Sequence, residues 1–446
     1  LSGQSNMVGI GQVGPAGMTR YNTYVSADKD AEQGSTLSIY RGTYDPSIDY
    51  DKQEPIETHH VRLGYWPHKA FPTVNEPYTH VARGFIRIDR PGRYSFKTTG
   101  GSILELDGQA IYRDMPEQEP ISEIIHLKPG TYPLKVTFRG QGRSNLSYRF
   151  FDLPGTLHTL VKEQGKFPHL LNEDGEWAER TDVWYKGVVT AGANKWLSVG
   201  CGAGSGQIGP ELGFGHIVGD YHDEPVLILK ASQGNRSLGW DYLPPGSEQF
   251  EHEGYIYAGY KDSPARWEKG SKPEPINWYA GKQYDDCVEA AHTVLDNFDE
   301  NFPHWKGRGY EIAGFAWWQG HKDQGSDAHT RLYEQNLVHL IKTLRKEFDA
   351  PKAPFVIATI GFGGWELDGN ALTVANAQLA VSGDKGKYPE FRGNVLTVET
   401  RDFWREAEVS PKNQGYHYNQ NAETYMLVGE ALGKGMLELL KTGNTP

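Results

Sequence analysis

The spacing of hydrophobic positions changes character partway along the chain. Between residues 80 and 153, apolar and polar side chains alternate in short runs: 84–89 (GFIRID), 93–98 (RYSFKT), 102–106 (SILEL), 109–113 (QAIYR), 122–127 (SEIIHL), 132–139 (YPLKVTFR) and 146–151 (LSYRFF). Turn residues separate them at Pro91-Gly92, Asp107-Gly108 and Pro129-Gly130. A period of two sends alternate side chains to opposite faces, and turns every ~8–12 residues fold the chain back on itself, so this stretch predicts an antiparallel sandwich. Asp107-Gly108 suits a two-residue hairpin because both positions tolerate positive φ. From residue 155 onward the period is helical, in 211–219, 280–298, 328–348, 371–382 and 422–440. Within 280–298, for example, Cys287, Ala290, Ala291, Val294, Leu295 and Phe298 share one face. Apolar strands lie between these helices at 225–230 (PVLILK), 312–318 (IAGFAWW), 354–360 (PFVIATI) and 394–399 (NVLTVE). Strands apolar throughout are covered on both faces, which predicts an α/β fold around a parallel sheet. Ligands of such sheets bind beyond the carboxyl ends of the strands.

The opening residues, LSGQSNMVG, belong to the second pattern. Leu1 reads as a strand end, Ser2-Gly3-Gln4 as a sharp turn, and Ser5 as a hydroxyl presented at the start of the next segment. A serine nucleophile needs that placement, with backbone N–H groups beside it to hold an oxyanion. The same residues also read as a plain polar turn. If Ser5 belongs to the α/β part, the sandwich is an insertion. The expected domains are 1–22 with 155–446, interrupted by 23–154.

Candidate partners for Ser5 follow the strands. After the 225–230 strand comes ASQGNRS (231–237), where Gly234 lets the backbone approach a ligand closely and offers a second oxyanion N–H. After the 312–318 strand comes QGHKD (319–323); the Gln319 amide is a third donor or a buried amide fixing the loop, and His321 with Asp323 buttresses that loop. After the 394–399 strand an irregular loop leads to His417, just ahead of the last helix, where a general base can reach Ser5.

Composition narrows the partners. A chain of 446 residues exceeds what one core serves, in line with two domains. A net charge of −12 without a Lys/Arg stripe argues against nucleic acid and suits a neutral or weakly charged ligand. No apolar run approaches the ~18 residues of a membrane span. No metal-ligand spacing, GxGxxG or P-loop appears, so neither metal nor cofactor is expected. Cys201 and Cys287 are too few for a disulfide framework. The chain starts on the end of its first core strand, which reads as a truncated or processed N-terminus.

GQSNM at 3–7 followed by WWQGHKD at 317–323 resembles the SGNH-type hydrolases, and within them the sialate O-acetylesterase and carbohydrate esterase family 6 branch. IGPEL at 208–212 is similar to a segment that opens an early helix there. The resemblance implies a flavodoxin-like three-layer α/β/α fold and cofactor-free hydrolysis of acetyl esters on sugars. It assigns Ser5 as nucleophile, His417 as base, and the Ser5 N–H, Gly234 N–H and Gln319 side chain as oxyanion donors. The implied partner is an acetylated oligo- or polysaccharide, and the implied location secreted or periplasmic; oligomeric state is open. Two departures stand out. His321 replaces the branch's acidic residue, and Gln414 and Gly415 stand where a carboxylate is expected just before His417. Asp402, Glu406 or Glu408 from the same loop, or a backbone carbonyl, would then orient His417; otherwise the enzyme is slow or inactive, leaving a glycan-binding protein as the alternative function. A lipase or peptidase is a weaker third reading, since no long apolar lid is visible. Residues 80–153 resemble PA14-type domains through GRYSF (92–96), LDG (106–108) and PGTY (129–132). Gly100-Gly101 stands where calcium-binding aspartates occur in lectin members, so the sandwich either binds glycan without calcium or shapes the cleft. Trp240, Trp278, Trp365 and Trp404 are candidates to stack on sugars or to pack in the core.

Overall fold

The computed structural model describes residues 1–15, 19–61, 65–66, 77–98, 101–116, 118–139 and 144–443. The chain divides into two compact units: Leu1–Gly14 with Pro154–Pro446, and Pro15–Leu153. The boundary expected at residue 22 moves back to residue 14. The reason is a short strand, Thr19–Arg20, which pairs with Ser147 and Tyr148 as an edge of the second unit.

In the second unit a seven-stranded antiparallel sheet runs in the order Ile121–Ser122, Gln109–Asp114, Ser102–Leu106, Gly130–Arg139, Tyr78–Ile88, Ser35–Arg41, Glu57–Val61. A four-stranded sheet comprises Ile125–Leu127, Gly92–Lys97, Ser147–Phe150 and Thr19–Arg20. Their inward residues, among them Leu37, Ile86, Leu104 and Val136 from one sheet and Tyr94, Phe96 and Phe150 from the other, form one core. The single strand expected over 122–127 is two strands in different sheets, and Ile124 at the crossover is 58% exposed. Ser35–Arg41 and Glu57–Val61 escape a pattern search because hydroxyl and histidine side chains occupy half their positions. Gly100, one of the two glycines at the expected calcium position, lies outside the described residues.

The first unit is built on a second seven-stranded sheet, ordered Asn194–Ser198, Glu179–Val188, Val226–Ser232, Ser2–Gly3, Phe315–Trp318, Phe355–Ala358, Val395–Val398. All neighbours are parallel except the first pair. The two leading strands were not expected, since charged residues interrupt their apolar positions (ERTDVWYKGV, NKWLS). Helices are Pro210–Gly219, Lys282–Asp296, Asp327–Glu347, Gly369–Ala380 and Ala422–Gly443, with the short Phe298–Asn301 detached from the end of the predicted 280–298 span. Strand alternation shows that both faces are covered. Trp184, Leu227 and Leu229 pack with Val294, Phe298 and Trp305. Their neighbours Val183, Tyr185 and Ile228 join the main core with Leu212 and Phe214. Among the described residues no helix is long and apolar enough to cross a membrane. Cys201 and Cys287 are free and buried.

Ser2–Gly3 lies at the centre of the sheet, where strand order reverses, the place at which open α/β sheets form a crevice. Gly3 is obligatory there: its φ is +152° and a Cβ would stand 2.2 Å from the Trp318 carbonyl oxygen. Beneath the next turn lies a fully buried ion pair. Lys230 Nζ donates to Glu211 Oε2 at 2.8 Å and to the Val8 carbonyl at 2.9 Å, and Glu211 Oε1 accepts the Gly209 N–H at 2.8 Å. A buried pair is costly to break from one side, because the survivor keeps an uncompensated charge. Lys230→Met is expected to lower unfolding free energy by about 3–5 kcal/mol in urea titrations. Lys230→Met with Glu211→Leu should recover only part of this, since the Gly209 N–H and Val8 carbonyl then lose their partners.

Candidate active site

Ser5 opens a one-turn helix, Ser5–Val8, directly after the Ser2–Gly3 strand and Gln4. Three contacts set that turn. The Tyr242 hydroxyl donates to the Gly3 carbonyl at 2.8 Å. Lys230 holds the Val8 carbonyl from below. Gln4, 1% exposed, accepts at Oε1 from the N–H groups of Gly320 (3.3 Å) and Lys322 (3.1 Å) and from Gln319 Nε2 (3.1 Å). The serine turn is thus tied to the loop that ends the neighbouring strand.

His417 arrives from the opposite end of the chain. Its Nε2 lies 2.9 Å from Ser5 Oγ, a contact spanning 412 positions in sequence. The backbone that delivers it is unusual: His417, Tyr418, Asn419 and Gln420 have φ of +52°, +48°, +51° and +58°. Left-handed conformation costs ~1–2 kcal/mol for each such residue and persists only where the surroundings enforce it. Here they do. The Asn419 side chain, 2% exposed, accepts the N–H groups of Gln414 and Gly415 and donates to the Arg405 carbonyl. The buried Tyr418 hydroxyl accepts the Gly361 N–H at 2.9 Å, and Asn421 donates to Val409 and Ser410.

Burial, and next to it the nearby His321, pushes the His417 pKa down to about 4. The imidazole is therefore neutral at ordinary pH, the form that accepts a proton from a hydroxyl. No carboxylate contributes to that shift, and two of those considered from the sequence are engaged elsewhere. Asp402 Oδ1 accepts the Trp365 indole N–H at 2.6 Å, and Glu406 Oε1 accepts that of Trp404 at 2.8 Å. Glu408 lies exposed in the short Ala407–Val409 turn. None of the three is hydrogen-bonded to His417; the Tyr416 ring is edge-on to it at 4.7 Å.

Gly234 stands beside the serine: a Cβ built on it would be 3.7 Å from Ser5 Cβ. Among the described residues neither the Ser5 N–H nor the Gly234 N–H has a hydrogen-bond partner, so both are free to meet an oxyanion. Gln319 was expected either as a third donor or as a buried amide fixing its loop. Its Nε2 faces the Gln4 side chain, the Arg236 carbonyl at 3.0 Å and Asp323 Oδ2 at 2.6 Å, while its Oε1 accepts from the Tyr333 hydroxyl at 2.9 Å. Two N–H bonds facing three acceptors leave none for a substrate, and the amide acts as a brace. Asp323 completes the brace by accepting the N–H groups of Leu238 (2.9 Å) and Gly239 (2.8 Å), which end the Gly234 loop. Complete burial raises its pKa to about 6 against these donors. Gln4, Lys230 and Glu211 were missed from sequence; the lysine inside the apolar run PVLILK was the available signal, since a charge there must be paired. Among the described residues no group of three or more His, Cys, Asp or Glu is placed to hold a metal.

Similarities to known proteins can be set beside this geometry. A search of curated proteins finds no match. Among solved structures, an Arabidopsis thaliana protein aligns at 18% identity over 59% of this chain and 88% of its own, with a TM-score of 0.35. A carbohydrate acetylesterase from Xanthomonas citri aligns at 12% identity over 80% of this chain and 72% of its own, with a TM-score of 0.37. The PA14 domain of an antifreeze protein aligns at 12% identity over 27% of this chain and 82% of its own, with a TM-score of 0.21. The sequence profile of the family described as carbohydrate esterase, sialic acid-specific acetylesterase, matches residues 169–438. That span contains Gly234, Gln319, Asp323 and His417, while Ser5 precedes it. Covering well over half of the chain, the match shows that this protein belongs to the sialic acid-specific acetylesterase family of carbohydrate esterases.

Proposed function

We propose that the protein is a carbohydrate O-acetylesterase of the SGNH type, its first unit a flavodoxin-like hydrolase fold carrying a PA14-like insertion, working outside the cytoplasm on acetylated oligo- or polysaccharide. The observation that carries the reading is the 2.9 Å approach of Ser5 Oγ and His417 Nε2. With Nε2 unprotonated, the hydroxyl donates to it. As Ser5 attacks the acetyl carbonyl, its proton passes to His417, and the carbonyl oxygen becomes an oxyanion facing the Ser5 and Gly234 N–H groups. Collapse breaks the ester bond; His417 returns the proton to the departing sugar oxygen, leaving acetyl on Ser5. Water then gives a proton to His417 and attacks the acetyl group, and the second collapse frees acetate and restores the serine.

The glycan-binding alternative, with an inert hydrolase unit, draws on the lack of a carboxylate at His417. Losing that carboxylate in a Ser-His-Asp triad costs ~10⁴ in turnover when the imidazole then takes the wrong tautomer. Here Ser5 Oγ and the Tyr416 ring contact the imidazole and no acid does, so a slow working dyad is the expectation. Ser5→Ala is expected to lower kcat on para-nitrophenyl acetate by at least ~10³-fold, and His417→Ala by ~10²–10⁴-fold, with folding unchanged by circular dichroism. Turnover in wild type that is independent of Ser5 refutes the mechanism.

The acid limb of the pH profile offers a second check. Protonated His417 cannot take the serine proton, so activity is present above its pKa and lost below it. With that pKa lowered to about 4, kcat/KM should hold from neutral pH down to ~5 and be halved near 4. A carboxylate partner would favour the imidazolium and move the limb to ~6.5 or higher.

A further inference from the structure

Among the described residues four aromatic side chains are largely exposed: Tyr221, Tyr310, Trp365 and Tyr416. Tyr221 follows the Pro210–Gly219 helix and Tyr310 precedes the Phe315–Trp318 strand, both away from the carboxyl ends of the strands. Trp365 and Tyr416 follow the strands Phe355–Ala358 and Val395–Val398, on the face that carries Ser5. Of the tryptophans singled out from sequence, Trp240 packs against Leu243, Ala258 and Ala280, Trp278 lies beneath Arg236 at 4.4 Å, and Trp404 joins the main core. Trp365 alone of these is open, at 61% exposure.

Its ring is nevertheless held. The indole N–H donates to Asp402 at 2.6 Å, and the Arg401 guanidinium lies 4.1 Å from the ring centroid. Arg401 is in turn fixed by Glu399, through Nε at 2.9 Å and Nη2 at 2.6 Å. One face of the indole is thus backed by a cation, and the other is left to solvent. A chain of contacts joins this loop to the dyad. Phe362 stacks on Tyr418 at 4.7 Å and touches His321 at 4.7 Å; His321 stacks on Tyr416 at 6.4 Å, and Tyr416 abuts His417.

An exposed indole costs water contact, and one that is already immobilised loses little entropy when a ligand lies on it. Its surroundings select the ligand. Glu366, Asp368, Arg401 and Asp402 flank it, so there is no continuous apolar patch for a lipid or an apolar peptide. A pyranose ring meets both conditions, with C–H bonds for the negative ring face and hydroxyls for the charged rim.

We propose that Trp365 is a stacking platform for a sugar residue of the substrate other than the acetylated one, so that this esterase acts on a glycan chain rather than on a single sugar. The proposal rests on the esterase reading above. The platform contributes to binding and takes no part in the bond changes at Ser5.

The test compares wild type with Trp365→Ala and Trp365→Phe on two substrates. One is para-nitrophenyl acetate, which carries no sugar to stack on the platform. The other is the first glycan that wild type deacetylates in a panel of acetylated xylan, xyloglucan and pectin oligosaccharides. Trp365→Ala should raise KM for the oligosaccharide about tenfold, with kcat and all para-nitrophenyl acetate constants unchanged. Trp365→Phe should restore most of the loss. Equal losses on both substrates would assign Trp365 a structural role through Arg401, and no change on either would leave it idle; both overturn the platform alone. No acetate release by wild type from any glycan, with para-nitrophenyl acetate still hydrolysed, overturns the carbohydrate reading and the platform with it.

Discussion

A hydroxyl at the beginning of the chain and an imidazole near its end meet at 2.9 Å only if two locally unfavourable pieces of backbone are held in place. One is the Gly3-Gln4-Ser5 turn, where the central strand is two residues long and packs so tightly against Trp318 that a methyl group would collide. The other is the run His417–Gln420, four consecutive residues in left-handed conformation. Neither is stable alone. The first is clamped by Tyr242, Lys230 and Gln4, the second by the side chains of Tyr418, Asn419 and Asn421.

These clamps explain the form of the site. Gln4, Gln319 and Asp323 make a buried relay of amides and a carboxylate joining the turn of the first strand to the loops after its two neighbours. A buried relay of this kind rigidifies the loops it joins, because each displaced member would leave a desolvated partner behind. It leaves the oxyanion to backbone N–H groups, those of Ser5 and Gly234 in the proposed mechanism, whose positions the relay fixes. The proposed base also lacks a carboxylate. No acid is bonded to the imidazole, which contacts Ser5 Oγ and the Tyr416 ring, and an imidazolium there would have no anionic partner.

Much of this was legible in the sequence because it was local. Strand-end motifs placed Ser5, Gly234 and His417, and the change of period separated sandwich from parallel sheet. Features that depend on distant pairing were not legible. Glu179–Val188 has the composition of a surface segment and joins the parallel sheet by pairing with the distant Val226–Ser232. Thr19–Arg20 moves the domain boundary through one short pairing. Gln319 stayed open between a donor to substrate and a buried amide because sequence cannot show that Gln4, 315 positions earlier, accepts from it. The carboxylates chosen by proximity to His417 failed for a similar reason: two of them had indole partners that spacing does not disclose.

The claim on which all else depends is that Ser5 is activated by His417. A fluorophosphonate that modifies activated serines, followed by peptide mapping, tests it directly. The account predicts one adduct, on Ser5, formed rapidly in wild type and at least ~10²-fold more slowly in folded His417→Ala. An adduct on another serine, or labelling of Ser5 at the same rate without His417, would contradict it.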